Sequence, residues 1–196
     1  MGAPHSKAPW VPILLRSAVA AVYGGITIFW QGPTMAVLAA AGAAYLLLTG
    51  VSLWRMATLA RSCNTAQVPG ALLVSAVVYA AAGIVVAAVQ STTVFAYVAG
   101  AALLVGGLVE LVFWFRVRKT FTPARDWLIT GAAAVGAAVL MPLFLALAEG
   151  THVRALLGVS GGSAVIIAVV LAISGLGLRH DASLTPESTE HAQAVN

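Results

Sequence analysis

A chain of 196 residues with 61% hydrophobic residues, 8% charged residues and a mean hydropathy of +0.98 lies far from soluble domains, in which about a quarter of residues are charged. The formal charge of +4 comes from cations placed singly or in threes beside apolar runs, a pattern that argues against a nucleic-acid partner and for membrane-flanking charge. Cys63 is the sole cysteine, which excludes an internal disulfide and any cysteine cluster for metal within one copy.

Residues 1–12 form a short polar lead-in, too small to fold alone. Six apolar runs follow, at 13–30, 34–54, 70–89, 93–115, 127–148 and 155–178. Each has roughly the 17 to 25 residues that a helix needs to cross a bilayer. None has the polar face of a soluble helix or the alternation of a barrel strand. The small residues Ala39, Ala40 and Ala41 suit signal cleavage but lie inside the second run, so no cleaved signal is predicted. The expected fold is an all-α polytopic membrane protein with six transmembrane helices in three tandem hairpins, at about 13–54, 70–115 and 127–178. Residues 179–196 carry charges among Ser, Thr and Ala, and their polarity predicts a disordered tail.

The connections alternate in character. Gln31-Gly32-Pro33, Gln90-Ser91-Thr92 and residues 149–154 are links holding one cation, Arg154, whereas Lys7, Arg16, Arg55, Arg61, Arg116, Arg118, Lys119, Arg125 and Arg179 fall at the opposite ends of the runs. Under the positive-inside rule this predicts a multi-pass protein with both termini cytoplasmic. Eight arginines against two lysines, with an excess of Ala, Gly and Val, point to a GC-rich bacterial genome, and the expected location is the bacterial plasma (inner) membrane. Trp10, Trp30, Trp54, Trp114 and Trp127 all fall near predicted helix ends, where amphipathic rings anchor at the interface.

Ser17, Gly25, Thr34 and Gly42 recur 58 residues later as Ser75, Gly83, Thr92 and Gly100, and a looser third copy begins near Gly131. Three parallel hairpins are the economical reading of this internal repeat. An odd number of parallel units does not build the inverted two-fold repeat of many transporters.

The stretch Leu15-Arg16-Ser17-Ala18-Val19-Ala20-Ala21-Val22-Tyr23-Gly24-Gly25, the turn at Pro33 and Tyr45-Leu46-Leu47-Leu48-Thr49-Gly50-Val51 together resemble the hairpin unit of the HdeD-like bacterial membrane proteins. That resemblance implies six membrane helices built from three such units, no catalytic motif and an association with acid resistance. The chain departs from the pattern in reading Arg16-Ser17 at the arginine-glycine pair, and in carrying the turn proline only in the first hairpin.

Glu110 is the one acidic residue inside an apolar run, and an ionisable group in hydrocarbon is a functional candidate by default. Arg16 lies at a comparable depth in the first helix, so the two are expected to pair. Gly106 and Gly107 stand one turn back from Glu110 and admit a neighbouring helix. The pair reads as a latch between helices or as a proton-sensing or proton-relaying carboxylate, and the lack of a second intramembrane carboxylate favours the latch. Glu149, His152 and Arg154 form a second candidate, an outward loop that could respond to pH. Ser17, Ala21 and Gly25, and Gly158 and Gly162, have the small-residue spacing of close helix contacts.

There is no Gly-rich phosphate loop, nucleophile elbow or histidine-rich metal spacing. The expectation is therefore a non-enzymatic protein with no catalytic residue, cofactor or metal. Its expected partners are the lipid bilayer and, by self-association or assembly, other membrane proteins. Its expected role is acid or envelope stress tolerance, with a small proton or solute transporter using Glu110 as the alternative.

Overall fold

Twenty residues of α-helix measure about 30 Å, the thickness of a bilayer's hydrocarbon core. The computed structural model describes residues 10–62, 68–117, 124–147 and 150–193, and six of its helices are long and apolar enough to cross a membrane. They are α1 (Trp10–Phe29), α2 (Met35–Ser62), α3 (Val68–Val89), α4 (92–117), α5 (Ala124–Leu147) and α6 (His152–Gln193). Among the described residues there is no strand. The chain is an all-helical, multi-pass membrane protein.

The apolar runs locate the helices but not their ends. α2 continues two turns past Trp54 to Ser62, and α6 continues past Leu178 to Gln193 where the composition predicts disorder. The α6 extension is polar, while the α2 extension mixes Arg55, Thr58 and Arg61 with Met56, Ala57 and Leu59. Outside the hydrocarbon a helix needs no apolar face, and lengthening a formed helix avoids the cost of nucleating one.

Each helix packs on the next in chain order, and α6 returns to α1, so the six close into a ring. The most extensive interfaces are α2–α3, α4–α5 and α6–α1, which join successive hairpins, while the two helices within each hairpin share less. Three copies of one hairpin produce that alternation, because each presents the same face to the next. At the tight interfaces glycine lets backbones touch. A Cβ on Gly107 would stand 2.8 Å from the Gly131 carbonyl oxygen, and one on Gly50 2.9 Å from that of Ala76.

The links at the far end repeat as well. Gly32 (φ +79°), Gln90 (φ +45°) and Gly150 (φ +75°) each adopt the left-handed region. Gln90 stands 58 residues after Gly32, at the equivalent position of the second unit, and keeps the bend without glycine's freedom to adopt it. At the other end the Arg179 guanidinium lies 5.6 Å from the centre of the Trp10 ring, a cation–π contact. The first and last membrane helices therefore begin and end at one end of the ring.

Near its start α4 contains a π-helical turn, Phe95–Ala99. The extra residue turns Phe95, Ala96 and Ala99 inward, and the Phe95 ring fills the space left by Gly42 on α2. Such turns re-aim side chains within an otherwise regular helix.

The small-residue faces differ from those that four-residue spacing predicts. Ala21 is exposed and nothing lies within 4 Å of a Cβ built at Gly25, Gly158 or Gly162. The α1–α6 contact instead runs through Ser17, Ala20 and Gly24 on α1 and Gly161 and Ala164 on α6. A step of four residues advances about 40° around a helix of 3.6 residues per turn. Two such steps carry Gly25 about 80° off the face that Ser17 begins, whereas the seven-residue step to Gly24 returns within about 20° of it.

Candidate functional site

Helices α1 and α4 stand opposite each other in the ring, and the longest cationic side chain bridges them. Arg16 Nη2 forms an ion pair with Glu110 Oε1, with the two residues 5% and 6% exposed. The structure thus brings together the two charges singled out in the sequence. Both are withdrawn from bulk solvent, and a buried pair offsets its desolvation only when its remaining lone pairs and protons are satisfied.

Much of that satisfaction comes from α5. Thr130 Oγ1 lies 2.5 Å from Glu110 Oε2 and 3.0 Å from the carbonyl oxygen of Asp126. The hydroxyl has one proton, so with an ionised carboxylate it donates to Glu110, the stronger charge-assisted bond. The bond depends on backbone contact. Gly107 and Gly131 face each other across α4 and α5, and Glu110 and Thr130 lie on the same seam.

Tyr45 of α2 and Tyr79 of α3 lie close enough to interact electrostatically with both charges. Gly106 makes room for Tyr79, since a Cβ there would meet its ring and hydroxyl. Further along the interior, the Tyr23 ring stacks on Tyr45 with centroids 4.6 Å apart. Ser160 Oγ gives its proton to the Leu156 carbonyl, so the Tyr23 hydroxyl, 2.7 Å away, donates to Ser160. Ser17 Oγ donates to the Ala168 carbonyl at 2.8 Å. These polar contacts join α1 to α6 in a region where apolar surface gives helices no preference for one another over lipid.

Little space lies beside the charges among the described residues. The cavity against the pair measures about 20 Å³ and is bounded by Arg16 and Glu110 with Leu53, Met56, Leu72, Phe113 and Trp127. Trp127, expected as an interfacial anchor, lies against Phe113 at 5.7 Å and forms one wall of this cavity.

At the other end of the ring a cavity of about 480 Å³ is lined by Pro33, Thr92 and residues 150–154. His152 and Arg154 both border it, and His152 Nε2 is buried without a hydrogen-bond partner. Glu149, the third member of the outward loop, lies outside the described residues, as do Cys63, Arg118 and Lys119. Among the described residues no group of three metal-ligating side chains occurs.

The sequence reading missed Thr130, Tyr23, Tyr45, Tyr79 and Ser160 as participants. One signal was available for the tyrosines. Tyr23, Tyr45 and Tyr79 occur well inside their apolar runs, whereas tyrosine in membrane helices prefers the interface. A central tyrosine therefore marks a polar interior.

The pair of helices that carries Glu110 and Thr130 also carries the detectable relationship. Residues 84–143 match DUF308, a short repeat of unknown function. The DUF308 match covers all of α4 and most of α5, and with them Gly107, Glu110, Thr130 and Gly131. The family includes HdeD-like membrane proteins. No curated protein and no solved structure matches the chain.

Thr130→Val keeps the shape of the side chain and removes the hydroxyl. It is expected to lower stability in detergent by about 1–2 kcal/mol, between the cost of a buried charge-assisted bond and the smaller values typical in membranes. The shift in the heat-unfolding midpoint, followed by tryptophan fluorescence, measures it. Thr130→Ser is expected to retain most of that stability.

Proposed function

We propose that this is a non-enzymatic membrane protein of the HdeD-like kind, oriented with both termini in the cytoplasm. In this reading it contributes to acid or envelope stress tolerance by assembling with itself or with other membrane proteins. The observation that supports it is the arrangement at Glu110, where the carboxylate is closed off by Arg16 and Thr130 with only about 20 Å³ of space beside it. A conducting pathway needs a wetted route lined by polar groups. A carboxylate held on two sides by partners from α1 and α5 instead ties opposite and adjacent helices together.

A second reading draws on the same three oxygens. If Glu110 takes up a proton, it can donate to Thr130 Oγ1 while Thr130 turns its own proton to the Asp126 carbonyl at 3.0 Å. Both protonation states are then hydrogen-bonded, as a proton-handling carboxylate requires.

Proton flux in liposomes separates the two. Wild type and Glu110→Gln are expected to show the same background flux under an imposed pH gradient. Flux above background in wild type that is lost in Glu110→Gln overturns the latch and establishes the carrier.

A further inference from the structure

Arg16 leaves one hydrogen-bonding atom unaccounted for. Its Nε is fully buried with no partner, in a residue only 5% exposed. A buried donor of a charged group left unpaired costs more than an ordinary lost hydrogen bond, and nearly all such groups in native proteins are satisfied. Arg16 and Glu110 together border the cavity of about 20 Å³. A water molecule needs roughly 10–15 Å³ on this measure and two to four polar partners.

We infer that this cavity is a binding site for a single water molecule, which accepts a hydrogen bond from Arg16 Nε–H and donates one to the Glu110 carboxylate. The chemistry selects a small neutral ligand that both accepts and donates. The two charges already cancel, so an ion entering the cavity would gain no net attraction to offset loss of its hydration. The remaining walls, from Leu53, Met56, Leu72, Phe113 and Trp127, are mainly hydrocarbon and aromatic.

The position of the site has a topological consequence. Met56 lies six residues before the end of α2, Leu72 four residues after the start of α3 and Phe113 four residues before the end of α4. All three ends belong to the end of the ring that holds Trp10 and Arg179. The charge pair therefore lies nearer that end of the ring. The inference is independent of whether Glu110 acts only as a latch.

The test is nuclear magnetic resonance on the full chain in micelles, with ¹⁵N-labelled arginine and Arg16 assigned through Arg16→Lys. The expected result is a resolved Arg16 Nε–H signal at neutral pH with a direct cross-relaxation peak to water. Leu72→Phe fills the cavity and is expected to abolish that peak while circular dichroism stays helical. Met56→Phe fills it from another wall and serves if Leu72→Phe does not fold. A wild-type signal without the water peak overturns the inference. So does a signal lost to fast exchange, since bulk solvent then reaches the guanidinium, and so does a peak that persists in a folded, cavity-filled variant.

Discussion

Glu110→Leu alone is expected to destabilise the protein by about 3–5 kcal/mol, and the double variant Arg16→Met, Glu110→Leu to recover most of that loss. The reason is the asymmetry between breaking a buried pair and removing it. With Glu110 gone, Arg16 keeps a permanent charge that it cannot lose by deprotonation. The guanidinium must then stay unpaired in the ring or drag its helix toward the interface. With both gone, hydrocarbon replaces hydrocarbon-buried charge and no group is left stranded. Arg16→Met alone is the informative third member. There the carboxylate keeps its Thr130 bond after losing its cation, so a smaller loss than in Glu110→Leu is expected. Heat-unfolding midpoints of the four proteins between pH 5 and pH 8, at one detergent concentration, measure the coupling energy of the pair. A double variant as unstable as Glu110→Leu overturns the electrostatic account.

Some physical signals of this site are already present in the amino-acid sequence. Hydropathy fixed the number of helices, because hydrocarbon imposes a minimum apolar length on each one. It could not fix their ends, since a minimum length sets no maximum, and α2 and α6 run on past their apolar runs. The Arg16–Glu110 pair was legible for a similar reason. Two charges at matching depth in hydrocarbon have few alternatives to each other. Thr130 was not legible, because a single hydroxyl in an apolar helix can bond its own backbone and does so with Asp126. Only the Gly107–Gly131 contact places it beside a carboxylate. Gly25, Gly158 and Gly162 lie off the contact faces within one copy of the chain. Three-, four- and seven-residue spacings all occur in runs this rich in small residues, and only the neighbouring helix chooses among them.

That choice of face leads to the second large effect. Gly107→Val is expected to destabilise the protein by about 1–3 kcal/mol through overpacking alone. It is also expected to cost the Thr130 bond, because both depend on one seam. A Cβ at Gly107 meets the Gly131 carbonyl at 2.8 Å and Ala134 Cβ at 3.1 Å. The first obstacle is backbone, so relief requires α4 and α5 to separate, and separation draws Glu110 away from Thr130. Gly162→Val is the matched control. It places the same side chain on a membrane helix at a site with nothing within 4 Å of the new Cβ, and its expected effect is under about 0.5 kcal/mol. The two variants in the Thr130→Val background add the decisive comparison. If the seam and the hydrogen bond are one structural unit, Gly107→Val costs less where the hydroxyl is already missing, whereas Gly162→Val is equally silent in both backgrounds. Full additivity of Gly107→Val with Thr130→Val would mean that the carboxylate follows α5 when the helices part, and the glycine seam would then have no part in holding the charge pair.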